Sequence, residues 1–406
     1  MAIRDRRNQG RTNRLFNSQL EEVMHKYITV AFLLLVAVFF QLNCSLTSAL
    51  EERENSSVHL SEDVSATDVQ RNLFLQKLNK IGEIPVGKGR PRLFLLNEKT
   101  GWLCREKEVW KTLDGGKNWK SVFRFNESDP SRILDIAFIN ELKGWIVTND
   151  GVLSTDDGGL IWSAVSFFRN LSESVITTSI AVRGQKVIVG GSRETVNEIK
   201  AERSIFAFDA AIFYSPDSGR TWGLAQMPQS KGSISKVGFR EDGTLLAIGE
   251  ISNDIFTSLD GFTWKRENLN SPCIDKELRH GNEYKPVSLS FDKAGNAWIS
   301  YNDGRIIFSD HFGHWYDIAL PGDMWKSDDE GLAYFEKLCF INSEEGLGIK
   351  ANGQVLETTT GGAEWNLVSN EIRYGDIVLE ENKCVLAFDD GLYMMSFGKA
   401  YLNDKK

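Results

Sequence analysis

A short phrase, S/T-x-D-x-G-x-x-W, returns along this chain, and no other feature restricts its fold so tightly. It reads KTLDGGKNW at residues 111–119 and comes back as STDDGGLIW, YSPDSGRTW and TSLDGFTW, with two eroded versions, SDHFGHW and TTTGGAEW. Each copy closes on a tryptophan: Trp119, Trp162, Trp222, Trp264, Trp315 and Trp365, at intervals of 43, 60, 42, 51 and 50 residues. A period of that length marks an array of small supersecondary units, and four-stranded propeller blades fit it.

Each unit has the same grammar. In the second, ILDIAFIN alternates as a strand, GWIVTN follows, DG turns the chain, VLST makes a third strand, and IWSAV after the box makes a fourth. Seven such units can be counted, although only six carry a box; the last, YGDIVLEENKCVLAFDDGLYMM, has three strands. A closed ring leaves no open sheet edge, so NLFLQKLNKIGEIPV, upstream of the first unit, is expected to supply the missing strand. The expected fold is all-β, a seven-bladed propeller of four-stranded antiparallel blades spanning residues 70–406.

The box residues have local work to do. The Asp carboxylate and the Ser or Thr hydroxyl can bond the turn's own backbone, Gly takes the positive-φ position, and Trp covers the hairpin while its N–H finds an acceptor. Asp114, Asp157, Asp217 and Asp260 are the box carboxylates; His311 and Thr360 stand where the fifth and sixth copies would have Asp. Chemistry spread over six degenerate copies reads as structural. Calcium would need a denser acidic loop.

The formal charge of -9 is unevenly placed. Residues 1–26 are net positive, so the body is more acidic than the whole and a nucleic-acid partner is excluded, since phosphate binding needs a concentrated basic face. Residues 27–50 carry no charge, enough for a membrane-spanning helix. With the basic tail before it and the acidic linker 51–69 after it, the positive-inside rule leaves residues 1–26 cytoplasmic and the propeller on the periplasmic or extracellular side. A cleaved secretory leader ending near TSA (47–49) is the alternative, and both place the body outside the cytoplasm. There Cys104, Cys273, Cys339 and Cys384 could pair in three ways; Cys339 and Cys384 lie in apolar runs, where buried thiols are the default. No CxxC spacing or third ligand near His311 and His314 indicates a metal, and no phosphate-binding loop indicates a cofactor.

The boxes identify a resemblance. The GW…T-x-D-G-G-x-x-W wording of Gly101-Trp102 with Thr112–Trp119, and of Gly144-Trp145 with Thr155–Trp162, resembles the Asp-box propellers and most of all the photosystem II assembly and stability factor family with its non-photosynthetic relatives. The resemblance implies a non-enzymatic propeller that holds a membrane-protein intermediate. Sialidases share the box, so a sialidase-like glycoside hydrolase, or a carbohydrate-binding propeller, is the competing expectation. That chemistry needs an arginine triad and a Glu-activated Tyr, and the early Arg-Ile-Pro motif is replaced by Glu83-Ile84-Pro85.

If strands run from inside to outside in each unit, boxes share one rim and the long insertions, 192–210, 268–285 and 320–337, share the other. The box rim is then expected to be plain, and the elaborated rim to bind an envelope or membrane protein. Candidate contacts there are Arg193, Arg203, Arg279, His280, Trp325, Asp328 and Asp329, because Arg and Trp are frequent interface anchors. A short helix over 194–208 is the alternative for the first insertion.

Overall fold

The computed structural model describes residues 78–196, 206–251, 254–267, 285–318, 334–369, 375–380, 383–388 and 391–396. The basic tail, the apolar segment 27–50 and the acidic linker lie outside the described residues.

Seven separate four-stranded antiparallel sheets follow one another along the chain. Blade 1 is built from Arg92–Leu95, Gly101–Cys104, Glu108–Thr112 and Lys120–Arg124, in that spatial order. Blades 2 to 6 repeat the plan. The seventh takes three strands from the end of the chain, Asp376–Glu380, Lys383–Phe388 and Gly391–Ser396, and its outer strand from Leu78–Gly82. That strand pairs Leu78 with Met395 and Lys80 with Tyr393, closing the ring as the three-stranded last unit required.

Apolar side chains collect in the seams between blades. Seven clusters occupy seven seams: Trp102, Cys104, Ile136 and Phe138 fill that between blades 1 and 2, for example, while Leu93, Leu103, Val385 and Leu392 fill the closing seam. Second strands are covered on both faces, and Gly144–Thr148, Leu245–Gly249, Ala297–Tyr301 and Gly346–Lys350 are buried throughout. This explains their unbroken apolar runs, which one-sided burial would have made alternate.

The tryptophans divide the fastening between them. Box tryptophans are local staples: Trp162, Trp222, Trp264 and Trp365 donate from Nε1 to the carbonyl of the box glycine three residues earlier, at 2.9, 3.1, 2.9 and 2.8 Å. The blade-to-blade rivets are different residues. Trp102 of blade 1 donates to Gly158 O in the box of blade 2, and Trp298 of blade 5 to Gly361 O in the box of blade 6, both at 3.1 Å. Their rings lie flat on the last residue of the next inner strand, Trp102 on Phe138 at 3.5 Å and Trp298 on Phe340 at 3.9 Å between centroids. Gly144, at the start of the second strand of blade 2, makes room for the Phe138 ring: a Cβ there would stand 2.3 Å from Phe138 Cδ1.

Cys104, Cys339 and Cys384 are buried thiols, and the Cys339 and Cys384 sulfurs meet at 2.6 Å across the seam of blades 6 and 7. Burial pushes the Cys104 thiol up to about 12 and raises that of Cys384 as well, with the Cys339 neighbour adding to the latter. Cys273 lies outside the described residues.

Candidate partner-binding rim and channel

Because strands alternate in direction, the turns between first and second strands share the rim of the boxes. All six boxes are made as their residue types dictate. In the first, Thr112 Oγ1 donates to Asp114 Oδ1 at 2.9 Å and accepts from Gly116 N at 2.8 Å, while Asp114 also accepts from Asn118 N. Gly115 and Gly116 have φ of 73° and 89°; the third box places Ser218 in the equivalent strained position, with φ of 59°. In the fifth copy the carboxylate comes from Asp310 and not from the position of His311: Asp310 Oδ1 accepts from Phe312 N and His314 N, and its other oxygen meets His314 Nδ1 at 2.9 Å. The shortened turn shifts the acid by one residue. In the sixth, Thr360 Oγ1 accepts from Glu364 N and replaces the carboxylate with a hydroxyl.

These hydrogen bonds favour the charged carboxylate. Asp114 is held down to about 2, first by the Asn118 side chain, and Asp157 and Asp217 are lowered first by the backbone N–H groups of Ile161 and Thr221. A carboxylate depressed on folding contributes stability that is complete above its unfolded value of 3.8 and is lost as pH falls through the folded one. Thermal melts are therefore expected to drop steeply between about pH 4 and 2, and Asp114→Asn to flatten that slope.

The box rim is stitched from blade to blade. Lys111 Nζ caps Glu141 O at 2.9 Å, Lys186 Nζ caps Leu259 O at 3.0 Å, and buried Arg240 spans from blade 4 to Asp310 O and Ser309 Oγ in the box of blade 5. It is not plain, as the sequence had suggested. Leu113, Leu142, Leu160, Ile161, Leu259 and Phe312 stand exposed along it.

The opposite rim carries the longest excursions. Both described ends of the first insertion are strands: Lys186–Val196 and Phe206–Ser215 form a two-stranded arm pairing from Val187 with Ser215 to Val196 with Phe206, and residues 197–205 lie outside the described residues. Residues 268–284 and 319–333 lie outside the described residues, yet the strands they join end and begin on this rim. Phe335–Lys337, counted with the third insertion, belong to the inner strand of blade 6. Of the candidate contacts, Arg193 is described: it sits on the arm, half exposed, 3.7 Å from Glu173. Arg203, Arg279, His280, Trp325, Asp328 and Asp329 lie outside the described residues. Around the rim cations find acids, with Lys231–Asp209 at 2.7 Å, Arg266–Asp254 at 3.1 Å and Lys285–Glu250 at 3.1 Å. Asp209 remains low although burial opposes its charge, because Lys231 and Gln229 donate to it.

Behind this rim the inner strands enclose a channel. In five of them the register slips by one residue, at Ile133/Asp135, Thr177/Ser179, Ile234/Lys236, Pro286/Ser288 and Phe335/Lys337. The bulge turns polar side chains inward and leaves backbone groups that the neighbouring blade must satisfy. Asp135 accepts from Ile136 N and, across the seam, from Ile180 N at 3.0 Å; Asp376 accepts from Leu93 N at 2.7 Å and pairs with Lys337 at 2.8 Å. The resulting cavity of about 230 Å³ is lined by Arg92, Asp135, Ser179, Lys236, Lys337 and Asp376 among apolar neighbours. Its lining holds one arginine and no tyrosine, so it does not present a sialidase triad and nucleophile. Among the described residues no three His, Cys, Asp or Glu side chains converge on one point.

Known proteins place this architecture. Two solved YCF48 structures share the fold: one bound to a D1 peptide, with TM-score 0.54, 20% identity and coverage of 79% of this chain and 97% of that one, and one from Cyanidioschyzon merolae, with TM-score 0.51, 15% identity and coverage of 79% and 98%. An ancestral GH74 enzyme shares it too, at TM-score 0.53 and 11% identity, over 79% of this chain and 46% of that one. No curated protein sequence matches. A family model does match, described as photosynthesis system II assembly factor YCF48 and aligned with residues 91–365, and the chain belongs to that family.

Proposed function

We propose that this chain is a membrane-anchored, extracytoplasmic propeller that catalyses nothing and holds an envelope protein or complex on the rim opposite its boxes. The observation that carries the reading is the division of labour between rims. On one, Lys111, Lys186 and Arg240 are committed to capping carbonyls of the next blade; on the other lie the hairpin arm and the ends of both remaining long connections. Loops carried on a rigid scaffold are where recognition is usually placed. A relative in the same family has been solved with a peptide bound, which supports protein as the partner class. The basic tail and uncharged segment 27–50 support the anchor, which would confine the search for a partner to one membrane.

Replacing Trp325 and Arg279 with Ala is expected to weaken capture of envelope proteins by about tenfold, a loss of roughly 1.4 kcal/mol, with the melting temperature unchanged. Crosslinking in intact cells with quantified yields checks this, and undiminished capture would remove both residues. The box rim is the second reading, favoured by its apolar cleft of about 390 Å³ between the first two boxes, lined by Leu113, Trp119, Val122 and Leu160.

A further inference from the structure

We propose that the channel is a binding site for a small oxyanion, a carboxylate or phosphate, held by Arg92, Lys236 and Ser179. The site does not depend on what the rim binds. Three observations meet in one cavity. First, neither the Arg92 guanidinium nor the Lys236 ammonium has a hydrogen bond or ion pair among the described residues, whereas Lys337 on the same wall is paired with Asp376. Second, the Ser179 hydroxyl, 3% exposed and lining the same space, has no partner. A buried hydroxyl left unsatisfied is costly, and Ser179 faces the same space as two half-buried cations.

Third, neither acid of the lining makes an ion pair or hydrogen bond with these two cations, although both attract Lys236 at longer range. Asp135 and Asp376 spend their oxygens on backbone N–H groups of Ile136, Ile180, Ile377 and Leu93, and Asp376 on Lys337. The five charged side chains of the lining sum to one positive charge. The Lys236 ammonium is pushed down to about 8, by burial first and then by Lys337 and Arg92, against the pull of Asp135 and Asp376.

The geometry selects the ligand class. A guanidinium presents paired donors that match the two oxygens of a carboxylate or phosphate, an ammonium adds a point charge, and a hydroxyl adds one donor. A space of about 230 Å³ accommodates such an ion together with a few waters at about 30 Å³ each. Lys236 and Ser179 come from bulged positions of blades 4 and 3, and Arg92 from the start of the inner strand of blade 1, so an anion would tie three blades together through the axis.

The experiment uses the full chain, with inorganic phosphate and acetate as probes at constant ionic strength. Melting temperature is expected to rise with millimolar phosphate or acetate as binding to the folded state requires, and phosphorus NMR to show saturable broadening of the phosphate line. Lys236→Met and Arg92→Gln should each weaken binding by about tenfold or more, and Ser179→Ala by a smaller factor. Lys236→Met, which removes an unpaired charge, should melt no lower than the parent in anion-free buffer. An adventitious response, equal in the parent and both cation variants, would overturn the site, as would the absence of any response to either ion. A Lys236→Met protein that melts well below the parent without anion would overturn it too, by showing that Lys236 already has its partner.

Discussion

Trp102→Ala is expected to cost about 4–5 kcal/mol of unfolding free energy, at the upper end for large aromatic truncations. Three losses coincide. The indole is fully buried in the seam of blades 1 and 2, it lies flat against Phe138, and it satisfies Gly158 O in the neighbouring box. Trp162→Ala removes a half-buried ring whose N–H is bonded within its own turn, so about 2–3 kcal/mol is expected there. Urea midpoints of the two variants, at unchanged slope, give the comparison. A larger loss at Trp162 would return the fastening role to the box tryptophans. Gly144→Ala should resemble Trp102→Ala in direction, because the added carbon displaces Phe138 from its place under the indole.

Replacing Leu78–Gly82 with a Gly-Ser stretch of equal length is expected to have the second large effect. The strand supplies the outer ladder of blade 7, and Leu78 and Ile81 pack into the seams on either side of that blade. Losing two half-buried apolar side chains and several ladder hydrogen bonds amounts to roughly 4–6 kcal/mol. It also leaves Gly391–Ser396 as an open edge, and open edges pair with other chains. Denaturant melts should show the destabilisation, and size-exclusion chromatography should show oligomers. A monomer of parental stability would mean that the ring closes without this strand.

Much of this was legible because the repeat is carried by residues whose roles are local. Ser or Thr, Asp, Gly and Trp make the same turn wherever they occur, so six boxes and a hairpin count led to seven blades and to the closing strand. Even the eroded copies kept the turn, through Asp310 and Thr360. Trp102 was quoted in the GW motif, but its role is tertiary: nothing in Gly101-Trp102 announces that the acceptor is a glycine carbonyl 56 residues on.

The channel was missed for the same reason. Asp135, Lys236 and Lys337 each stand third in ILDIAF, ISKVGF and FEKLCF, a register visible only when inner strands are aligned on their bulges. The long connections could be assigned to a rim by strand count alone. Which of their residues a partner touches depends on contacts that no local pattern encodes, and Arg193 proved to sit on a strand of the arm.

The rim assignment is tested most directly by placing a photo-activated crosslinking amino acid at single positions of the full chain in intact cells. Arg193 and Lys231 report on the rim of the arm, and Leu113 and Leu160 on the rim of the boxes. Discrete adducts with one envelope protein from Arg193 and Lys231, and none from Leu113 and Leu160, are the predicted result. Adducts confined to Leu113 and Leu160 would contradict it and assign recognition to the box rim.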